Sequence, residues 1–104
     1  MNFADCVKET TTATSAATIT LTGAPAEFQA FAAAFVVGAT NIPTRMKDDA
    51  GNWENGFHTL TDAGTLTRTE ISSSSNGGAP VTFSGEARVV SCTMHEGVMA
   101  RLAR

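Results

Sequence analysis

Short segments of alternating side chains, separated by turn signals, constrain the fold of this chain more than any other feature. In the segment 17–22, small or apolar residues alternate with threonine, which is the pattern of a strand with one buried and one solvated face. Turn signals recur about every ten residues, a spacing typical of antiparallel β proteins. The pattern predicts a mainly β fold, a small antiparallel β-sandwich or barrel.

The segments with strand character are joined by turns rich in Gly, Asn, Asp and Ser. The first two predict an opening hairpin, and the next two predict a second hairpin around the turn at 48–52. Pro43 has no backbone N–H to donate, so its strand is expected to lie at a sheet edge or to begin after the proline. The predicted strands are 6–12, 17–22, 42–47, 53–60, 65–72, 81–83 and 88–94.

One segment has helical spacing instead, with apolar side chains at i, i+3, i+4 and i+7. It lies between Pro25, which suits the first helical position, and Gly38, which suits a helix end. We expect one short packed helix whose phenylalanines are buried against the sheet; a strand beginning at Phe35 is the alternative. The stripe consists of Phe28, Phe31, Ala32 and Phe35.

The segment 93–104 follows the last predicted strand and differs from it in pattern. Thr93 and Glu96 have the spacing of a capping box, so we expect a C-terminal helix or a docking tail after a β-sandwich-like domain at 1–92. A closed core leaves no room for the apolar side chains of this segment. We therefore expect partner contacts from Met94, Val98, Met99, Arg101, Leu102 and Arg104.

Length, charge and hydropathy exclude several classes of protein. A chain of 104 residues forms one compact domain. Its formal net charge of -3 leaves no cluster of Lys and Arg for nucleic acid or an anionic membrane. The longest apolar run, 30–37, is too short to cross a bilayer, and the N-terminus has no signal-peptide pattern. We expect no nucleic-acid or membrane partner, and synthesis in a cytoplasm.

The residue types that carry catalysis or bind metals are sparse. His58, His95, Cys6 and Cys92 are too scattered to predict a metal site, and no cofactor is expected. The cysteines fall in the first and last predicted strands, where buried free thiols are favoured and a disulfide is the alternative. Neither a nucleophile elbow nor a phosphate-binding loop is present, so we expect no enzyme activity.

Three polar or aromatic features have structural interpretations. Asp48 and Asp49 are interpreted as part of a solvated turn, because their spacing does not match a calcium loop. Trp53 is expected to anchor the hairpin in the core, with a sugar-stacking platform as the alternative. Arg68 lies in the middle of a strand and is expected to pair with a carboxylate, the candidates being Glu9 and Glu54.

A set of short segments, in a fixed order and spacing, forms a recurrent pattern along the chain. They are 7–12, 19–21, 23–24, 31–35, 38–40, 51–54, Gly56, 59–60, 66–69, 74–79, Val81 and Phe83. Taken together, these segments resemble a small module common in the structural genes of tailed bacteriophages and prophages. The resemblance covers nearly the whole chain to Cys92, and the chain departs from it at Cys6, where an arginine is usual, and at the basic segment 43–47.

The resemblance implies a non-enzymatic virion structural protein, assembled in the host bacterial cytoplasm. Such a protein is a small assembly module of a fibre, spike, neck, tail or capsid decoration, forming a homo-oligomer and contacting other virion structural proteins. The alternative function is a carbohydrate-binding β-sandwich for host-surface recognition, which depends on Trp53 and the polar loops.

Overall fold

The computed structural model describes residues 3–98. Within them, six antiparallel strands form one sheet in the order β1-β6-β3-β4-β5-β2, which confirms the mainly β fold class. No helix of residues 3–98 is long and apolar enough to span a membrane. The elements are β1 (Lys8–Thr11), β2 (Thr18–Thr20), α1 (Phe31–Ala34), β3 (Ile42–Lys47), β4 (Trp53–Asp62), β5 (Thr65–Ser74) and β6 (Arg88–Cys92).

The two edge strands of this sheet approach each other and nearly close it into a barrel. The Thr22 N–H donates to the Thr10 carbonyl at 2.9 Å, and the Thr10 N–H donates to the Gly23 carbonyl at 2.9 Å. The Thr11 hydroxyl donates to the Thr20 carbonyl at 2.7 Å. The two edges therefore meet at the seam of the barrel, but the predicted opening hairpin is wrong, because β1 forms its ladder with β6 and β2 forms its ladder with β5.

The barrel interior is filled by alternate residues of the strands, as their period of two requires. Phe31 enters this interior from α1 and is fully buried. The hairpin of β3 and β4 forms around the turn at 48–52 as predicted, pairing Ile42 with His58 and Lys47 with Trp53. The strand residues of the core are Ile19, Ile42, Met46, Leu60, Leu66, Val90 and Cys92.

The predicted helix is much shorter than its apolar stripe. Residues 28 and 29 run beside the start of β1, where the Gln29 N–H donates to the Cys6 carbonyl and the Gln29 carbonyl accepts from Lys8. Backbone groups used in this way are not available to a helix, and Glu27 has a φ of 71°. Phe31 is buried and Phe35 half-buried, but Phe28 is 39% exposed, so its expected burial is wrong.

Pro43 lies in an interior strand, and its predicted place at a sheet edge is wrong. The strand β3 runs between β6 and β4. The ladder between β3 and β6 begins only at Thr44, and the Pro43 carbonyl accepts from the Thr93 N–H at 3.0 Å, beyond the end of β6. The N–H and carbonyl of a strand residue point to the same side of the strand. The N–H that Pro43 lacks would therefore also point beyond the end of β6, where the ladder requires no donor.

Two other predicted elements differ from the structure. The segment 81–83 makes only one isolated bridge, between Ser15 and Thr82, although Val81 and Phe83 are buried. Both cysteines are free, but only Cys92 is buried; Cys6 precedes β1 and is exposed, so its expected burial is wrong.

Strand direction gathers the connecting segments at the two ends of the barrel. The segments 3–7 and 21–41 and the turn between β4 and β5 lie at one end, called here the lower end. The segment 93–98 leaves β6 at this end and runs back along the outer face of the barrel to Gly56 and Ser73. The loops 12–17 and 75–87 and the turn 48–52 meet at the opposite, upper end. The helix α1 lies at the lower end, which confirms the predicted short helix packed on the barrel.

Candidate interaction surface

An ion pair between Glu54 and Arg68 lies inside the barrel, which confirms the predicted pairing of Arg68 with a carboxylate. Arg68 Nε lies 2.9 Å from Glu54 Oε2, and Arg68 Nη2 lies 3.0 Å from Glu54 Oε1. The Val81 N–H donates to Glu54 Oε1 at 3.2 Å. These contacts of the Glu54 carboxylate are made inside the protein, and its side chain is 1% exposed, so the pair is structural and is not presented to a ligand.

His58 is also buried and engaged on both ring nitrogens. Its Nε2 lies 2.7 Å from the Ala16 carbonyl, and its Nδ1 contacts the Thr44 hydroxyl. Since a carbonyl only accepts, Nε2 carries the proton and Nδ1 accepts from Thr44. Burial lowers the pKa of His58 to about 4. The ring is a neutral link between β3, β4 and the segment before β2, and neither nitrogen is available to a metal.

This depressed pKa predicts a specific loss of stability in acid. The unfolded chain takes up the His58 proton near pH 6.5, whereas the folded chain resists it to about pH 4. The stabilisation is therefore complete above pH 6.5 and is lost as the pH falls to about 4, at a cost of about 3 kcal/mol. The free energies of unfolding of wild type and His58→Gln, measured by urea titration and plotted against pH, should converge as the pH falls through this range. Parallel curves would contradict the assignment.

The turn at 48–52 is built around a buried carboxylate, so its interpretation as a solvated turn is wrong for Asp48. Asp48 Oδ1 accepts from the Ala50 and Asn52 N–H groups at 2.9 Å, and Oδ2 accepts from Asn52 Nδ2 at 3.0 Å. The Asn52 side-chain bond lowers the pKa of Asp48. These bonds are those of an Asx-type turn, and they use the carboxylate that a calcium ion would need.

Residues 3–98 hold no group of three or more His, Cys, Asp or Glu side chains that could bind a metal ion. His95 illustrates why, because its Nε2 faces the Gly56 carbonyl at 2.9 Å and its Nδ1 accepts from the Gly97 N–H at 3.1 Å. Its ring packs edge-on against Phe57, with centroids 5.2 Å apart. His95 therefore fastens the segment after β6 onto β4, and Cys92 is not joined to it in a metal site.

The lower end of the barrel is the most apolar part of the described surface. Val36 and Val37 form the tip of the turn after α1 and are 78% and 57% exposed, and Met94, beyond the end of β6, is 57% exposed. A monomer rarely presents so many large apolar side chains at one end without a partner. The five that define this apolar end are Phe3, Phe28, Val36, Val37 and Met94.

The structure separates the side chains predicted to contact a partner. Met94 is exposed at the apolar end. Val98 is only 1% exposed, because residues 96–98 form a helical turn packed on the protein itself, so its side chain is not presented to a partner. The remaining predicted contacts, Met99, Arg101, Leu102 and Arg104, lie outside the described residues.

Trp53 does not anchor the core; it lies half-buried on the outer face of β4. The Arg45 guanidinium lies over the indole, 5.8 Å from its centroid. A cation over an aromatic face is a favourable contact, and it covers part of the surface on which a sugar would stack. The aromatic platform predicted as the alternative is therefore present but partly occupied.

The valines of the apolar end were missed because the run 35–37 was interpreted only as the end of a helix or the start of a strand. The sequence signal that could have located them is their position directly before Gly38, since glycine favours turns; in the structure Gly38 has a φ of 96° and the two valines lie on a turn.

Neither a protein-family model, nor a curated protein, nor a solved structure matches this chain.

Proposed function

We propose that this protein is a non-enzymatic structural subunit of a bacteriophage virion, a small assembly module of a fibre, spike, neck, tail or capsid decoration. The observation that carries the assembly role is the apolar end, where Val36 is 78% exposed and Val37 and Met94 are each 57% exposed. The virion setting is supported by the sequence resemblance described above. The polar groups inside the barrel support a scaffold rather than a catalyst, since Glu54 and Arg68 pair with each other and His58 is bound by the Ala16 carbonyl and the Thr44 hydroxyl.

The expected partners are further copies of this chain and other virion structural proteins. A nearly closed barrel holds its exposed turns at fixed positions, so an apolar tip on such a turn loses little conformational entropy on docking. Virions reuse one subunit by symmetry, which repeats a modest contact many times. The proposed location is the virion, after assembly in the host bacterial cytoplasm.

The test replaces the two valines at the tip of the apolar end. Val36→Ser with Val37→Ser should leave the barrel folded, because both side chains are already solvated. The variant, expressed in a host producing particles that lack the wild-type chain, should be absent from purified particles. Ala87→Ser, an exposed small residue of the upper end, is the matched control and should be incorporated normally. Normal incorporation of the valine variant would contradict the role of the apolar end.

A carbohydrate-binding module for host-surface recognition is the second candidate, and the half-buried position of Trp53 on the outer face favours it. The isolated domain on a glycan array distinguishes the two functions. Saturable binding to one glycan class that is lost in Trp53→Ala would support recognition. No binding, with incorporation into particles intact, would support the assembly module.

A further inference from the structure

Three of the five Lys and Arg side chains of residues 3–98 lie together on one wall of the barrel. Lys8 is on β1, and Arg45 and Lys47 are on β3. The other two described cations, Arg68 and Arg88, are directed to internal partners. We call this surface, made by Lys8, Arg45, Lys47, Trp53 and Val89, the basic wall.

The strand register places these side chains in two adjacent rows. One row joins Lys8 to Ser91, Ser91 to Arg45 and Arg45 to Asn55. In the other row, Lys47 pairs with Trp53. Val89 belongs to this second row, because its neighbour Val90 pairs with Met46, which precedes Lys47. Side chains on one face of a sheet lie about 5 Å apart across neighbouring strands, so the rows form a continuous surface.

Neither row contains a carboxylate. The acidic residues of the same strands, Glu9 on β1 and Glu54 on β4, point inward, where they accept from the Phe31 N–H and from Arg68. The two rows therefore carry only positive charge in a chain whose net charge is -3. The exposed Glu96 carboxylate borders the first row, where it accepts from Ser73 opposite Asn55. The apolar centre of the basic wall is Trp53 with the exposed Val89, and an aromatic centre with a charged rim is the usual composition of a protein interface.

The apolar end carries the complementary chemistry. Three exposed carboxylates, Asp5, Glu27 and Asp62, lie at the same end of the barrel as the exposed apolar side chains. The upper end also has exposed carboxylates, Asp49 and Glu86, but none of the large exposed apolar side chains described above lies in its loops. Of the two ends, only the lower one offers both the acidic and the apolar groups that match the basic wall.

We propose that the basic wall is the docking surface for the apolar end of a second copy of this chain. Asp5 and Glu27 of one copy face Arg45 and Lys47 of the next, and apolar side chains cover Trp53 and Val89. The inference rests on the proposed assembly function, since it names the surface that one subunit presents to another. Because the two surfaces in contact are different, the interface is heterologous, and it generates a ring or an open filament rather than a two-fold dimer.

The experiment is a charge swap followed by sedimentation velocity at low salt. One variant combines Arg45→Glu with Lys47→Glu, and a second combines Asp5→Lys with Glu27→Lys. Each alone should associate at least about tenfold more weakly than wild type, because each brings like charges together at the contact. An equimolar mixture of the two should recover association, since the acidic wall of one meets the basic end of the other.

The control reverses charge at the upper end, by Asp49→Lys with Glu86→Lys, and should leave self-association unchanged. Failure of the mixture to recover association, or equal loss in the control, would overturn the proposal. A wild-type chain that stays monomeric would also overturn it. If the monomeric chain still enters particles through Val36 and Val37, the assembly function stands and only the second-copy contact fails.

Discussion

Replacing Glu54 by Gln should lower the free energy of unfolding by about 3 to 5 kcal/mol, the cost of leaving one member of a buried ion pair without its counter-charge. The Glu54 side chain is 1% exposed and the Arg68 side chain 15% exposed, so solvent cannot replace the lost partner. The same carboxylate also accepts from the Val81 N–H and holds the segment after the 75–80 loop on the barrel. Urea unfolding followed by circular dichroism measures the change.

A double variant distinguishes the charge from the packing at this position. Glu54→Leu with Arg68→Met removes both charges and keeps much of the side-chain volume, so it should be markedly more stable than Glu54→Gln. If Glu54→Gln costs less than about 1 kcal/mol, the pair behaves like a solvated surface pair and the internal network described above is wrong.

Replacing Phe31 by Ala should cost about 3 to 5 kcal/mol, because the ring is fully buried in the barrel and its removal leaves a cavity. Phe31 also fixes α1 to the barrel, since its N–H donates to Glu9 Oε2 at 2.9 Å. Phe28→Ala is the matched control: the same chemical change at a ring that is 39% exposed should cost about 1 kcal/mol or less.

The comparison of the two phenylalanines tests the fold directly. In the structure the rings have different environments, Phe31 inside the barrel and Phe28 on its surface against the Lys8 ammonium, 4.3 Å from the ring centroid. Equal losses of stability for the two variants, measured by the same urea titration, would support the full helical stripe over the short α1.

The strands could be predicted because their signal is local. The hairpin of β3 and β4 follows from two alternating segments on either side of a turn, and the structure pairs them residue by residue from Ile42 to Lys47. The helix could not be predicted in the same way. The backbone around Gln29 bonds to Cys6 and Lys8, and such a long-range contact overrides the local period of the apolar residues.

The candidate surface was predicted only in part, for a similar reason. Met94 is predicted to contact a partner because a closed core has no room for the apolar side chains of its segment, and in the structure Met94 is exposed. Val98 has the same pattern in sequence, but it is only 1% exposed, in the helical turn that follows His95. Exposure at Val36 and Val37 depends on where α1 stops, which no local pattern specifies. The basic wall requires the strand order, because β1 and β3 become near neighbours only through β6.

The central claim, that this chain is an assembled virion subunit, is tested most directly by its copy number. Quantitative mass spectrometry of purified particles, from a bacterium that carries this gene, gives the ratio of this chain to the major capsid protein. The assembly function predicts the same ratio in every preparation, set by the symmetry of the site that the subunit occupies. Absence from the particles, or a trace amount that varies between preparations, would contradict the account.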